Sequence, residues 1–145
     1  MPIRHILQTT GGLMLLCAVA SGAQAADKVV LLQGGSIGTA QVAAGAEAYL
    51  DNCAGCHGED LRSVNSNAPD LRGPTFQYSW VTKPLEETFH KIITTMPPGM
   101  TGEIDPETYA QIVAYILNFN GVEAQEDGRF PQTAEEVAPM DLVIQ

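Results

Sequence analysis

Basic side chains are scarce in this sequence. Seven Lys and Arg stand against seventeen Asp and Glu, a net formal charge of −10 over 145 residues. A surface that neutralises several phosphates needs a cluster of such groups, so nucleic-acid binding is excluded as a working function. Cysteine is scarce too, with three in the chain. There is no internal repeat and no long strand pattern. No nucleophile–base pair and no pocket of paired carboxylates can be read from the residues. Long apolar runs are also missing: the longest, Gly11 to Ala20, is about half of what a membrane-spanning helix needs. What remains is an apolar fraction of 45%, enough for one small core, and a length that allows one domain.

The first 25 residues read as a signal peptide. Arg4 and His5 form a short positive segment, the apolar run follows, and Ser21-Gly22-Ala23-Gln24-Ala25 places small residues at the two positions read by a signal peptidase. Cleavage after Ala25 is expected, with an uncleaved membrane anchor as the alternative. Cys17 leaves with the signal, because Leu16 before it is not the small residue a lipoprotein site wants. Arg4 is the one formal charge removed, so the mature chain is still more acidic. It has no membrane span, and export puts it in the periplasm, where disulfides are permitted. Cys53 and Cys56 remain, and one bridge across a two-residue gap would stabilise little. A domain this small needs another source of stability, and a bound cofactor would supply it.

Residues 26–38 read as an extended arm. Thr39 is placed as the N-cap of a helix carrying Val42, Ala46, Tyr49 and Cys53 on one face. Gly45 sits beside that stripe at a cost of about 1 kcal/mol against Ala, tolerable if another backbone comes close. Residues 58–78, rich in Gly, Asn, Ser and Pro, read as loop. Pro84 suits the first position of a second helix, whose apolar face is Leu85, Phe89, Ile92 and Met96 and which breaks at Pro97-Pro98-Gly99. Asp105-Pro106 opens a third helix with Tyr109, Ile112, Val113, Ile116 and Phe119 as its stripe, closed by Asn120-Gly121. From residue 122 to 145 the tail is polar, with one capping-box candidate, Thr133 to Glu136.

Cys53-Ala54-Gly55-Cys56-His57 is C-x-x-C-H, the attachment signature of c-type haem. Two thiols so spaced can add across the two vinyl groups of the porphyrin, and the histidine that follows reaches the iron. A thioredoxin-like pair would want a βαβ context that is absent. A zinc site would need further Cys or His, and only His90 is left. A structural disulfide is the third alternative.

With that motif the sequence resembles the class I c-type cytochromes, monohaem periplasmic electron carriers, from about Thr39 to Gly121. The resemblance implies an all-α, cytochrome c-like fold: three main helices around one covalently bound haem, with residues 39–121 as the domain, an irregular N-terminal arm (26–38) and an irregular C-terminal tail (122–145). It implies haem c attached through Cys53 and Cys56. Gly45 and Tyr49 precede the first haem cysteine by eight and four residues, as in that family, and would cross the last helix at Ile112 and Tyr115. Pro69-Asp70-Leu71 matches a segment whose proline carbonyl accepts the hydrogen bond from the ligand histidine.

The resemblance implies His57 and a methionine as iron ligands, a pairing that raises the haem potential. Two methionines compete in Thr95-Met96-Pro97-Pro98-Gly99-Met100. Met96 is in register with Phe89 and Ile92, and the family's Met-Pro pattern agrees with it; Met100 follows the break. Outside a haem site Met96 would be a core gap-filler. His90 lies off the apolar stripe. Trp80, Tyr78 and Arg72 fall where such proteins hold haem propionates, and each can donate to a carboxylate; ordinary packing for the two aromatics and a solvated Arg72 compete with that role. Cys-Ala-Gly-Cys-His-Gly-Glu-Asp-Leu, Met-Pro-Pro-Gly and Tyr-Ile-Leu-Asn-Phe-Asn-Gly are together similar to small cytochromes associated with quinoprotein alcohol dehydrogenases. The expected function is therefore a carrier, not a catalyst, passing one electron between a donor dehydrogenase and an acceptor oxidase or other cytochrome. A haem subunit of a larger dehydrogenase, and a haem enzyme or gas sensor with an open sixth position, are the alternatives.

Overall fold

The computed structural model describes residues 29–145; the signal-peptide expectation lies outside them. Three helices carry the architecture: α1 (Thr39–Asn52), α4 (Leu85–Thr95) and α5 (Pro106–Phe119). Shorter turns lie between and after them: α2 (Ala54–His57), α3 (Gly73–Phe76) running into a π-turn at Gln77–Val81, and α6 (Ala134–Val137). None of the helices among the described residues is long and apolar enough to cross a membrane.

The crossing of α1 and α5 is the centre of the molecule. A Cβ added to Gly45 would stand 1.9 Å from the carbonyl oxygen of Gln111 and 2.4 Å from its carbon. The glycine is therefore the condition for the two backbones to meet. Buried Tyr49, one turn on, meets Tyr115 in a tilted ring pair at 5.3 Å. The buried face of α1 is Gln41, Gly45 and Tyr49, one position round from the expected stripe, because the contact is made by glycine and backbone rather than by the most apolar side chains. Helix α5 is enclosed on nearly every side, with Tyr109, Ala110, Ile112, Val113, Ala114, Ile116 and Leu117 buried, as a central helix should be. Phe119, expected on its stripe, is 42% exposed. Asp105 caps the helix, its carboxylate accepting from the N–H and hydroxyl of Thr108, and these bonds hold its pKa below the usual carboxylate value. Gly45→Val should lower unfolding stability by about 3 kcal/mol, the upper end for overpacking because the clash is with backbone. A denaturation midpoint equal to the parent's would show that the helices separate without cost.

The arm and tail are not irregular, and the fold is not purely helical. Strand β1 (Val30–Gln33) pairs antiparallel with β4 (Asp141–Ile144), Val30 opposite Ile144. Strand β2 (Ile37–Gly38) pairs in parallel with β3 (Ala124–Gln125). The tail also enters the core: Phe130 and Val137 are fully buried, and Phe130 meets Phe89 of α4 edge-on at 5.4 Å. Gln41 fixes it there, its amide donating to the Phe130 carbonyl (3.0 Å) and accepting from the Phe130 N–H (2.6 Å). The sparse apolar positions of the tail misled the sequence reading, since Val122, Phe130, Val137, Met140 and Leu142 are spaced without helical or strand period yet all are buried. The expected capping interaction is present, the Glu136 N–H donating to the Thr133 hydroxyl at 3.3 Å.

Candidate functional site

Helix α1 ends at Asn52, and the chain turns at once into α2, so Cys53, Cys56 and His57 follow one another within a single tight turn. The N–H groups of Cys56 and His57 both donate to the Cys53 carbonyl, at 3.1 and 3.0 Å. Gly58 ends the turn with φ +74°, and a Cβ there would lie 2.0 Å from the Arg62 carbonyl oxygen. The Tyr49 hydroxyl donates to the Gly58 carbonyl at 2.8 Å. Burial drives its pKa well upward, with Cys53 adding to the effect, so the phenol stays a donor at neutral pH. The α1–α5 crossing is in this way tied directly to the C-x-x-C-H turn.

Both cysteines are free thiols, Cys53 half-buried and Cys56 exposed. Burial, with a smaller contribution from Cys56, pushes the Cys53 thiol up to about 11. His57 Nδ1 lies 2.9 Å from the Pro69 carbonyl oxygen. A carbonyl only accepts, so Nδ1 carries a proton, and in the neutral imidazole Nε2 is then the nitrogen with the lone pair that binds metal. Pro69 is itself held by its neighbours. Asp70 Oδ1 accepts from the Ser63 N–H at 2.7 Å, and Leu71 donates to Leu61 at 2.8 Å. The Asn120 amide donates to the Leu71 carbonyl at 2.8 Å. Asn120 was read from sequence only as a helix end, and nothing local in it signals this long-range bond.

These groups face a cavity of about 290 Å³. Cys53, Cys56, His57 and Pro69 line it from the motif side, Ile92 and Met96 from α4 and its end, Ile112 and Ile116 from α5, and Trp80 from the π-turn. Trp80 is buried and stacked on Phe76 at 5.1 Å. Met96 is half-buried, its N–H bonded to Ile92 at 3.0 Å; its carbonyl accepts the hydroxyl of Tyr109, which anchors the chain where α4 stops. Met100 is exposed and His90 is exposed, and neither lines the cavity. Tyr78, 74% exposed, is also outside the lining. Arg72 is outside it too: its guanidinium pairs with Asp60 at 3.1 Å and lies 5.7 Å over the Phe119 ring. The structure therefore gathers six of the eight expected site residues and leaves two elsewhere: Tyr78, because the π-turn sends Trp80 inward and Tyr78 outward, and Arg72, because Asp60 holds it. Among the described residues no three His, Cys, Asp or Glu converge as a metal cluster.

The donor set suits an iron porphyrin: two free thiols, an imidazole with one free nitrogen, a thioether and a largely apolar wall of Leu71, Trp80, Ile92, Ile112 and Ile116. The comparisons agree. A family model described as cytochrome c oxidase, cbb3-type, subunit III matches residues 40–116. The cbb3-type cytochrome c oxidase subunit CcoP of Azospirillum sp. (strain B510) is 27% identical over 104 residues, covering 68% of this chain and 35% of that one. The subunit FixP of Bradyrhizobium sp. (strain ORS 278) is 29% identical over 80 residues, 54% of this chain and 28% of that one. The chain thus spans about a third of the length of the curated relatives it matches, and no solved structure matches it. Both relatives are oxidase subunits by name, not quinoprotein partners. The match covers both α1 with the C-x-x-C-H turn and most of α5, the two halves of the cavity: this chain is a cytochrome c domain of the cbb3-type oxidase subunit III family and binds haem c covalently.

Proposed function

We propose that this protein is a periplasmic one-electron carrier in which Cys53 and Cys56 form the thioethers and His57 Nε2 and Met96 Sδ are the axial ligands. The observation that carries the reading is the hydrogen bond between His57 Nδ1 and Pro69, which occupies Nδ1 and reserves Nε2 as the metal-binding nitrogen in the same cavity that Met96 lines. Bound haem supplies a ferric–ferrous couple. The protein's own contribution is to hold both ligands and to keep water away from them. Pro69 fixes the imidazole and raises its basicity. Tyr109 holds the backbone of Met96. Ile92, Ile112, Ile116 and Trp80 give an apolar wall, and low polarity together with thioether ligation favours the ferrous state. If His57 and Met96 both hold the iron, no coordination site would be left for a substrate, as a carrier requires and an oxygen-activating enzyme or gas sensor does not.

The relatives are named as oxidase subunits, which supports a flow of electrons from a dehydrogenase or another cytochrome toward a terminal oxidase. A quinoprotein alcohol dehydrogenase as donor rests only on the three sequence phrases that resemble its small cytochromes. The optical spectrum of the exported protein with a pyridine haemochrome assay tests the covalent haem, and carbon monoxide tests the sixth position. A c-type haemochrome with no carbon monoxide shift is expected. Prompt carbon monoxide binding would overturn the carrier assignment in favour of an open site.

A further inference from the structure

Only three lysines occur in the chain, Lys28, Lys83 and Lys91, and two of them line the haem cavity. Lys83 stands just before α4 and Lys91 two turns further on, near its end. Both are exposed, and so lie at the rim rather than on the floor. Neither has a salt-bridge partner among the described residues, where the ion pairs are Arg72 with Asp60 and Arg129 with Glu107. Glu87 lines the same wall between them, yet it joins no ion pair there. In a protein of net charge −10, two lysines free of ion pairs on one cavity wall, with a single carboxylate between them, are a local excess of positive charge available to an anionic ligand. Haem carries two carboxylates. Arg72, the basic residue that sequence places at those carboxylates, is already committed to Asp60 and to the face of Phe119.

We propose that Lys83 and Lys91 hold the carboxylate-bearing edge of the haem, with Trp80 as the apolar backing beside them. The assignment rests on the haem reading above. Trp80 lines the cavity and makes no side-chain hydrogen bond to another described residue, so its indole N–H is also free to donate to a carboxylate. The lysines are positioning residues. From the rim their charge would compensate the carboxylates and so favour the ferrous form, whose iron carries one positive charge less.

The test uses the mature holoprotein and its reduction potential, read by spectroelectrochemistry. Lys83→Gln with Lys91→Gln removes both charges; Arg62→Gln removes a charge from an exposed residue outside the cavity lining. The double variant should shift the ferric-to-ferrous ratio at a fixed ambient potential about tenfold toward ferric, about 59 mV for one electron. Arg62→Gln should shift it much less, and Lys83→Arg with Lys91→Arg should restore the parent value. Potentials equal in the double variant and the Arg62 control would overturn the proposal, since general surface charge would then account for both. If the double variant does not mature, the two single variants carry the same comparison. The haem reading fails separately, by the absence of a c-type haemochrome in the parent protein.

Discussion

Replacing both Cys53 and Cys56 by alanine is expected to leave almost no protein carrying haem that resists acid–acetone extraction. The two thiols flank one short turn whose backbone is fixed by bonds from Cys56 and His57 to the Cys53 carbonyl, so both are presented to one edge of the ligand. Without them the His57 and Met96 bonds alone would retain the group, and these open whenever α4 or the Pro69 loop loosens. The loss should extend to the fold. The cavity walls include the apolar side chains of Ile92, Ile112, Ile116 and Trp80, and an empty cavity forfeits their packing. A small domain depends heavily on such a ligand. Absorbance of the extracted pellet, with circular dichroism melting, reads both effects. Haem that stays bound through extraction in the double variant would move the attachment site.

Met96→Ala carries the second large effect. The weak absorption band at the red end of the oxidised spectrum, which reports an iron–methionine sulfur bond, should vanish. The potential should fall on the order of 0.1–0.3 V, a sizeable part of the roughly 0.8 V that axial ligation spans across haem proteins. Met100→Ala should leave both unchanged, because Met100 is exposed and outside the cavity. The opposite pair of results would assign the ligand to Met100. The helix register that favours Met96 is also a mechanical argument: α4 ends at Thr95, and the Tyr109 hydroxyl bond to the Met96 carbonyl fixes the next residue against α5.

The parts of the site legible in sequence are those built from near neighbours. The C-x-x-C-H turn, the Met-Pro break and the Asp105 cap each depend on a few consecutive residues, and each stands where expected. Gly45 was legible for a different reason: a glycine in a helix has a cost, and the close approach of the Gln111 carbonyl explains it. What sequence did not show are bonds between distant polar groups. Gln41 with Phe130, Asn120 with Leu71 and Tyr109 with Met96 join residues far apart in the chain. An isolated amide or phenol carries no periodicity, so no pattern announces its partner. The rim lysines were missed likewise. They were counted as charges scarce on the surface, while their position on the cavity wall depends on how α4 lies over it. Tyr78 lies outside the cavity because the π-turn at Gln77–Val81 changes which side chains face inward, and a single wide turn leaves no sequence signature; Arg72 lies outside it because its guanidinium is held by Asp60.

The pairing of β1 with β4 has a consequence for the order in which the molecule is assembled. Its ladder joins the two ends of the described chain, and Val29 and Gln145 complete it with bonds of 3.3 and 3.0 Å. Four short rungs cannot offset the entropy of closing so long a loop in an open chain. The ends must already be near each other, which requires α5 to lie across α1 and Phe130 to be seated against Phe89. The strand pair is therefore a latch that falls shut on a helical body already formed around the haem turn. In the reverse direction its opening would uncover Val30 and Leu142 and withdraw β4 from the π-turn that carries Trp80, so a loose latch would be felt at the cavity wall.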